Sequence, residues 1–229
     1  MSARDEILSA VRANLPKLDK PLPWVPMFDD SAPVSLLAAF RESLLAMGGD
    51  FLDVPPGEDP LQAIRQRIAK AKVVCSATPE VTGNRPLSRV RVPPDLADVD
   101  IGVVRAAFAV AETGSICLTD GGLGVNALGY LSQHLIALLD PADIVSNLHH
   151  AYERPEFRQG HYATFHTGPS ATADIEGVLI HGAQGVRSLT VVPAPRPRSP
   201  GPTCSTAICE NTMSKSHVKS RGQTEGAIR

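Results

Sequence analysis

The stretch that decides the fold is IGVVRAAFAVAETGSICL, residues 101–118, in which a long apolar run leads into Glu112, Thr113, Gly114 and Ser115. A second stretch of similar character, GPSATADIE, follows at residues 168–176. In both, a carboxylate, hydroxyl groups and glycine adjoin an apolar, strand-like run. Loops at the carboxyl ends of buried strands are often equipped in this way. The two stretches therefore predict a small-molecule site, but they do not name a reaction.

Outward from these stretches, strand-like and helix-like patterns alternate, although residues 101–110 fit either type. Strands are predicted over residues 51–54, 73–76, 115–118, 134–139, 162–166 and 188–192. Helices are predicted over residues 2–15, 35–47, 60–71, 141–152 and 172–181. Such alternation indicates an α/β domain with a largely parallel sheet flanked by helices, and we assign it to residues 34–192.

The two ends of the chain differ from this central part. Residues 1–33 predict a helix followed by a proline-rich extended arm that carries Trp24, Met27 and Phe28. The arm either wraps its own domain or packs on another subunit of a homo-oligomer. Residues 193–229 are rich in Pro, Arg and Ser without periodicity, so we expect them to be disordered or loosely attached.

Composition excludes several classes of function. The net charge of −2 gives no overall basic field for nucleic acid. No run of eighteen apolar residues predicts a membrane span, and no signal peptide is recognisable. The four cysteines have neither the spacing of a metal site nor that of a disulfide framework. We therefore expect a soluble cytoplasmic protein that binds no metal.

Glu112 is the candidate catalytic residue. It lies at the edge of a buried run, where a half-buried carboxylate with a raised pKa acts as an acid, base or nucleophile. Thr113, Gly114 and Ser115 are candidate substrate-binding residues, the glycine because it lets the backbone approach a ligand closely. The structural alternative is that Glu112 caps a helix or pairs with Arg105.

The second stretch contributes Gly168, Ser170, Thr172 and Asp174 as candidate substrate-binding residues. Ser170 or Thr172 would cap the predicted helix over residues 172–181, and Asp174 and Glu176 would lie in its first turns. Acidic side chains there complement the helix dipole, which weakens the case for a phosphate site. Capping is thus as good an explanation of these two carboxylates as catalysis.

A glycine stretch at residues 121–127 offers a further alternative. Gly122-x-Gly124-x-x-Ala127 fits the dinucleotide fingerprint and follows a predicted strand. The space before His134 is short for a crossover helix, so a flexible loop over a pocket is the better interpretation. The seven histidines lack metal-ligand spacing, and no serine has the surroundings of a hydrolase nucleophile.

Residues 1–192 resemble the LUD-domain family, and within it the lactate-utilization protein C group. The resemblance rests on the RDEIL helix at residues 4–8, on residues 102–115, on DIV at 143–145 and on residues 168–176. It implies a core similar to sugar-phosphate isomerases and CoA transferases. It also implies a role in oxidising L-lactate to pyruvate with iron–sulfur partner proteins. The chain lacks cysteine clusters, so it would bind no cofactor and the iron–sulfur clusters would belong to those partners.

The chain departs from the family pattern at two positions, with Val104 in place of Thr and Ala171 in place of Arg. The missing arginine removes the obvious cation for a small carboxylate, and Arg85, Arg105 and Arg187 are the candidate replacements. Three hypotheses follow: an accessory subunit that binds a small carboxylate, a stand-alone isomerase- or CoA-transferase-like enzyme that uses Glu112, and a nucleotide-binding regulatory module. The sequence leaves open whether the chain is catalytic by itself.

Overall fold

Helices and short strands alternate along the chain in the computed structural model, which describes residues 2–16, 23–28, 33–55, 57–174 and 177–196, without the side chains of residues 158 and 159. The helices are α1 (Ala3–Ala13), α2 (Leu36–Ala46), α3 (Pro60–Ile68), α4 (Asp120–Leu123), α5 (Leu128–Leu131), α6 (Leu148–Glu153) and α7 (Glu156–Gln159). The strands are β1 (Asp50–Phe51), β2 (Val74–Ser76), β3 (Ile101–Arg105), β4 (Phe108–Val110), β5 (Ser115–Thr119), β6 (His134–Leu139), β7 (Ile144–Val145), β8 (Ala163–His166), β9 (Ala171–Thr172), β10 (Ile180–His181) and β11 (Ser188–Pro193).

A five-stranded parallel sheet forms the centre of the fold, with strand order β1-β11-β6-β3-β2. Its strands read as continuous apolar runs because both faces are covered. Phe40 and Leu44 of α2 pack in the core cluster on one face, and Ile64 of α3 packs in the cluster on the other. Side chains along β6 alternate between these two clusters. This arrangement confirms the predicted α/β class with a largely parallel sheet.

The ambiguous residues 101–110 form one extended run that passes from the first sheet into a second. The backbone N–H of Ala106 donates to Leu138 of β6, and that of Ala107 donates to Cys117 of β5, both at 2.9 Å. The second sheet has the order β7-β4-β5-β8, with β4 and β8 antiparallel to β5. The small residues Ala106 and Ala107, both buried or nearly so, let the strand change sheets without a bulky side chain at the junction.

The predicted helix over residues 172–181 is wrong. β9 and β10 form an antiparallel pair there, with Thr172 opposite Ile180. β-Branched residues at both ends favour extended pairing, and Gly177 interrupts any helix with a φ of 69°. Asp174 therefore lies in a hairpin loop and not in the first turn of a helix.

The predicted helix over residues 141–152 is correct only in its second half. A 3-10 turn over Pro141–Asp143 leads into β7, where Ile144 pairs with Ala109 of β4. Helix α6 begins afterwards, and the Asn147 side chain caps it by accepting the N–H of His150 at 3.1 Å. The other predicted helices and strands are confirmed, with ends that differ by up to three residues.

The N-terminal helix is confirmed as α1, which Ser2 and Asp5 cap reciprocally. None of its residues is buried, and its apolar stripe is open, with Ile7 63% and Val11 55% exposed. The described part of the arm lies on its own domain, where Asn147 donates to the carbonyl of Met27 at 2.7 Å. The tail is predicted to be disordered over residues 193–229, and residues 197–229 lie outside the described part of the chain. No helix in the described ranges is long and apolar enough to span a bilayer.

Candidate functional site

Glu112 follows β4 and connects it to the start of α6. Its N–H donates to the carbonyl of Ser146 at 3.0 Å, and its Oε2 accepts the N–H of Leu148, the first residue of α6, at 3.2 Å. The side chain is exposed, so the predicted half-buried carboxylate is wrong. Helix capping, the structural alternative, is what the geometry supports. The other alternative, a pair with Arg105, is wrong because that guanidinium binds Glu80.

Gly114 and Gly168 are required by the packing of α2. Both have positive φ, 67° and 74°. A Cβ on Gly114 would lie 2.3 Å from the backbone nitrogen of Leu44, and a Cβ on Gly168 would lie 2.4 Å from the carbonyl oxygen of Met47. The close backbone approach expected of Gly114 is therefore an approach to the C-terminal end of α2 instead of to a ligand.

Three hydroxyl groups link the first sequence stretch to the residue that precedes the second. Ser115 Oγ lies 2.7 Å from Thr113 Oγ1 and 2.5 Å from Thr167 Oγ1, and Ser115 is buried. Thr167 comes directly after β8, which pairs with β5, so the antiparallel register brings it to Ser115. The sequence reasoning missed Thr167; its place immediately before Gly168 was the available signal.

These hydroxyls open into a cleft of about 570 Å³, which we call the Glu112 cleft. Its lining combines apolar side chains with hydroxyl groups and the Glu112 carboxylate. The lining residues are Ser43, Ala46, Met47, Glu112, Thr113, Ser115, Leu148, Tyr152, Phe165 and Thr167. A neighbouring cleft of about 310 Å³ shares Ser43 and Glu112 and is bordered by Phe28 of the arm, whose ring lies 4.8 Å from that of His149.

Gly168 and Ser170 line a different space, a cleft of about 220 Å³ beside His166 and Tyr130. Ser170 Oγ donates to the carbonyl of Ala183 at 2.7 Å, which fixes the loop. Burial lowers the pKa of His166, and its Nε2 is buried with no hydrogen-bond partner in the described part of the chain. Thr167 also lines this cleft, whereas no residue of the second sequence stretch is among the described residues that line the Glu112 cleft.

Thr172 and Asp174 take no part in any of these clefts. Both lie in the β9–β10 hairpin, where Thr172 Oγ1 accepts the N–H of Asp174 at 3.3 Å. The predicted set of site residues is thus divided: Glu112, Thr113 and Ser115 line one cleft, Gly168 and Ser170 line another, and the hairpin pair lines neither.

No lysine or arginine is among the described residues that line these three clefts. Arg85 is bound to Asp98 at 2.5 and 2.6 Å. Arg105 binds Glu80 at 2.7 Å, with both side chains only 14% exposed. Arg187 is exposed, beside Gly182. Arg85 and Arg105 are thus held by carboxylates, and Arg187 is not among the described residues that line these clefts.

The glycine stretch lacks the geometry of a dinucleotide site. After β5 it forms α4, which has only four residues and ends at Gly124. A Cβ on Gly122 would lie 3.0 Å from the carbonyl oxygen of Arg105, so this glycine packs on the end of β3. No long crossover helix starts here to hold a pyrophosphate, so the geometry counts against the dinucleotide alternative.

Within the described ranges, no three His, Cys, Asp or Glu side chains are placed to hold a metal ion. Cys75 and Cys117 are buried in different core clusters. Burial raises the pKa of the Cys117 thiol to about 12, so it is poorly suited to act as a thiolate ligand.

The segment that matches a known protein family contains both sequence stretches. Residues 81–192 match the family model of the LUD domain. The chain carries a LUD domain. Lactate utilization protein C of Deinococcus radiodurans is 29% identical over 181 residues, which are 73% of this chain and 85% of that protein. A crystal structure of a DUF162 family protein from the same organism has a TM-score of 0.55 at 22% identity, covering 69% of this chain and 98% of the other.

The LUD domain match includes Glu112, the hydroxyl chain and the second stretch. It begins after β2, so two strands of the parallel sheet and the whole of α2 lie outside the matched segment. Helix α2 nevertheless supplies Ser43 and Ala46 to the Glu112 cleft, and Met47 directly after it is a third lining residue. The candidate site is therefore built by the LUD domain together with the segment that precedes it.

Proposed function

We propose that this protein functions in lactate utilization, as a cytoplasmic accessory component that acts with iron–sulfur partner proteins. The similarity to lactate utilization protein C over most of both chains supports this proposal. The family resemblance is what assigns the iron–sulfur clusters to those partners.

The observation that carries a ligand-binding role is the hydrogen bond between Ser115 of the first stretch and Thr167, the residue before the second stretch, because both residues line one cleft. The small carboxylate that the resemblance implies would bind there through hydroxyl donors. One of its oxygens would accept the O–H that remains in the chain Thr113–Ser115–Thr167, and its hydroxyl group would donate to Glu112. Hydroxyl donors orient such a ligand but hold it less strongly than an arginine fork.

The exposed stripe on α1 supports docking to another chain. Ile7 and Val11 lie on one face of a helix that buries none of its own residues. An open apolar stripe is typical of an interaction surface, so α1 is proposed to contact either a partner protein or a second copy of this chain.

Growth on L-lactate tests the role. A strain that lacks the gene should fail to grow on lactate but grow normally on pyruvate, and the wild-type gene should restore growth. Thr167→Val should restore it poorly, because the substitution breaks the hydroxyl chain, whereas Thr172→Val in the hairpin should restore it fully. Normal growth of the deletion strain on lactate would overturn the proposal.

A second candidate, a stand-alone enzyme of the isomerase or CoA-transferase type, is favoured by the position of Glu112 as the one charged group among the residues that line its cleft. The two candidates differ in turnover by the purified chain. The accessory role expects none with lactate, phosphosugars or acyl-CoA, and turnover that disappears in Glu112→Gln would establish the enzyme instead.

A further inference from the structure

The chemistry of the Glu112 cleft favours a ligand with a masked carboxyl group over the free carboxylate named above. We infer that the cleft takes an uncharged hydroxyacyl compound, in which the carboxyl group is masked as an ester, amide or thioester attached to an apolar group. This inference rests on the proposed function only in taking the cleft as the ligand site. Its three supports are the charge of the cleft, its hydrogen-bonding groups and its size.

Charge is the first support. Glu112 is the charged residue of the lining, and its carboxylate already interacts with the N-terminal end of α6 through the N–H of Leu148. A ligand carboxylate beside it would meet a like charge with no lysine or arginine in the described lining to offset the repulsion. A neutral acyl group avoids that repulsion and the loss of hydration that a free carboxylate would suffer.

The hydrogen-bonding groups are the second support. The chain Thr113–Ser115–Thr167 contains two hydrogen bonds among three hydroxyls. Each hydroxyl has one hydrogen, so one O–H of the three is left to donate to the ligand. Glu112 can only accept. The cleft therefore matches a ligand that has an acceptor, such as a carbonyl oxygen, and a donor, such as a hydroxyl group, which is the pattern of a hydroxyacyl compound.

Size and polarity are the third support. A volume of about 570 Å³ lies within the usual range for small-molecule sites, about 300–1,000 Å³, and far exceeds a three-carbon acid. Met47, Leu148, Phe165 and the ring of Tyr152 are the apolar part of the lining, which lactate alone would leave in contact with water. An apolar group attached through the masked carboxyl would cover these side chains.

The test compares two probes of equal size, 3-phenyllactamide and 3-phenyllactate, which differ in charge. With the full-length protein at low ionic strength, calorimetry should give a dissociation constant at least tenfold lower for the amide, about 1.4 kcal/mol. Salt at about 0.5 M shortens the screening length to a few ångströms. Added salt at this concentration should therefore reduce the difference between the two dissociation constants. Backbone amide shifts at Ser115 and Thr167 should locate both probes.

Two variants separate the causes. Glu112→Gln should reduce the preference to about threefold or less, because the like charge is gone. Glu153→Gln, which removes an exposed carboxylate of the same helix outside the lining, should leave the preference unchanged. The salt series on the unaltered protein keeps the test valid if Glu112→Gln destabilises α6.

Equal or tighter binding of phenyllactate would overturn the inference, and so would the failure of both probes to shift Ser115 and Thr167. Neither result bears on the growth test. A deletion strain that grows normally on lactate would reject the proposed function while a measured preference for the amide would stand. A growth defect together with tighter binding of the anion would reject the inference alone.

Discussion

Replacing Gly114 by alanine tests whether this glycine serves the packing of α2. At a φ of 67°, the left-handed conformation costs an alanine about 1–2 kcal/mol. The new Cβ would also lie 2.3 Å from the nitrogen and 2.6 Å from the Cα of Leu44, so the backbone of α2 must move. Overpacking of this kind costs about 1–3 kcal/mol. The expected loss in the free energy of unfolding is therefore about 2–5 kcal/mol.

Gly177 provides a matched control. Its φ is 69°, and an added Cβ would meet nothing within 4 Å. Gly177→Ala should therefore show the conformational cost alone, about 1–2 kcal/mol. Urea unfolding followed by circular dichroism gives both values from the midpoint and slope. Differences below about 0.5 kcal/mol are near the limit of this method. If the losses in the free energy of unfolding of the two variants differ by less than that, contact with α2 is not what requires glycine at position 114.

Three further predictions concern buried ionisable groups. Burial lowers the pKa of His166 below its ordinary value, so in mild acid the unfolded chain takes up a proton that the native chain does not. The free energy of unfolding should therefore fall as pH drops below about 7, and urea midpoints at two pH values should show this. His166→Leu should lessen the fall, and His161→Leu should not. Arg105→Met should lower the free energy of unfolding by about 3–5 kcal/mol, because it leaves Glu80 unpaired. Adding Glu80→Leu should recover part of that loss. A double variant as unstable as the sum of the two single variants would contradict this prediction. Burial raises the pKa of the Cys117 thiol to about 12. In a variant with Cys204 and Cys209 replaced by serine, Cys117 should therefore resist thiol reagents at pH 8 until urea unfolds the chain. Rapid labelling of Cys117 in the native protein would refute this prediction.

The parts of the fold that follow from local pattern were predictable. His134–Leu139 is a strand with the predicted ends, because a continuous apolar run of that length fits a strand buried on both faces. The region 171–181 was not predictable in the same way. Its Thr-Ala-Asp-Ile-Glu segment has the residue types of a helix start, and only the pairing of Thr172 with Ile180 makes it a hairpin.

The candidate site was predictable in composition and not in arrangement. The sequence indicated that Glu112 and Ser115 belong to a site, but the partner of Ser115 is Thr167, fifty-two positions away, and sheet register brings them together. Likewise, a glycine at position 114 signals a close approach without naming α2 as the neighbour. The missing cation depends on tertiary pairing, since Arg105 is held by Glu80.

The extended run that contributes β3 to one sheet and β4 to the other affects how the domain unfolds. Neighbouring residues, Ala106 and Ala107, are held by different sheets, so neither sheet can detach without pulling on the other. Local opening should then be coupled across the junction, and the amides of β5 and β6 should exchange with solvent deuterium at similar opening free energies. An inserted residue at this point would shift the register of every side chain beyond it. The junction is therefore where the domain should tolerate insertions least.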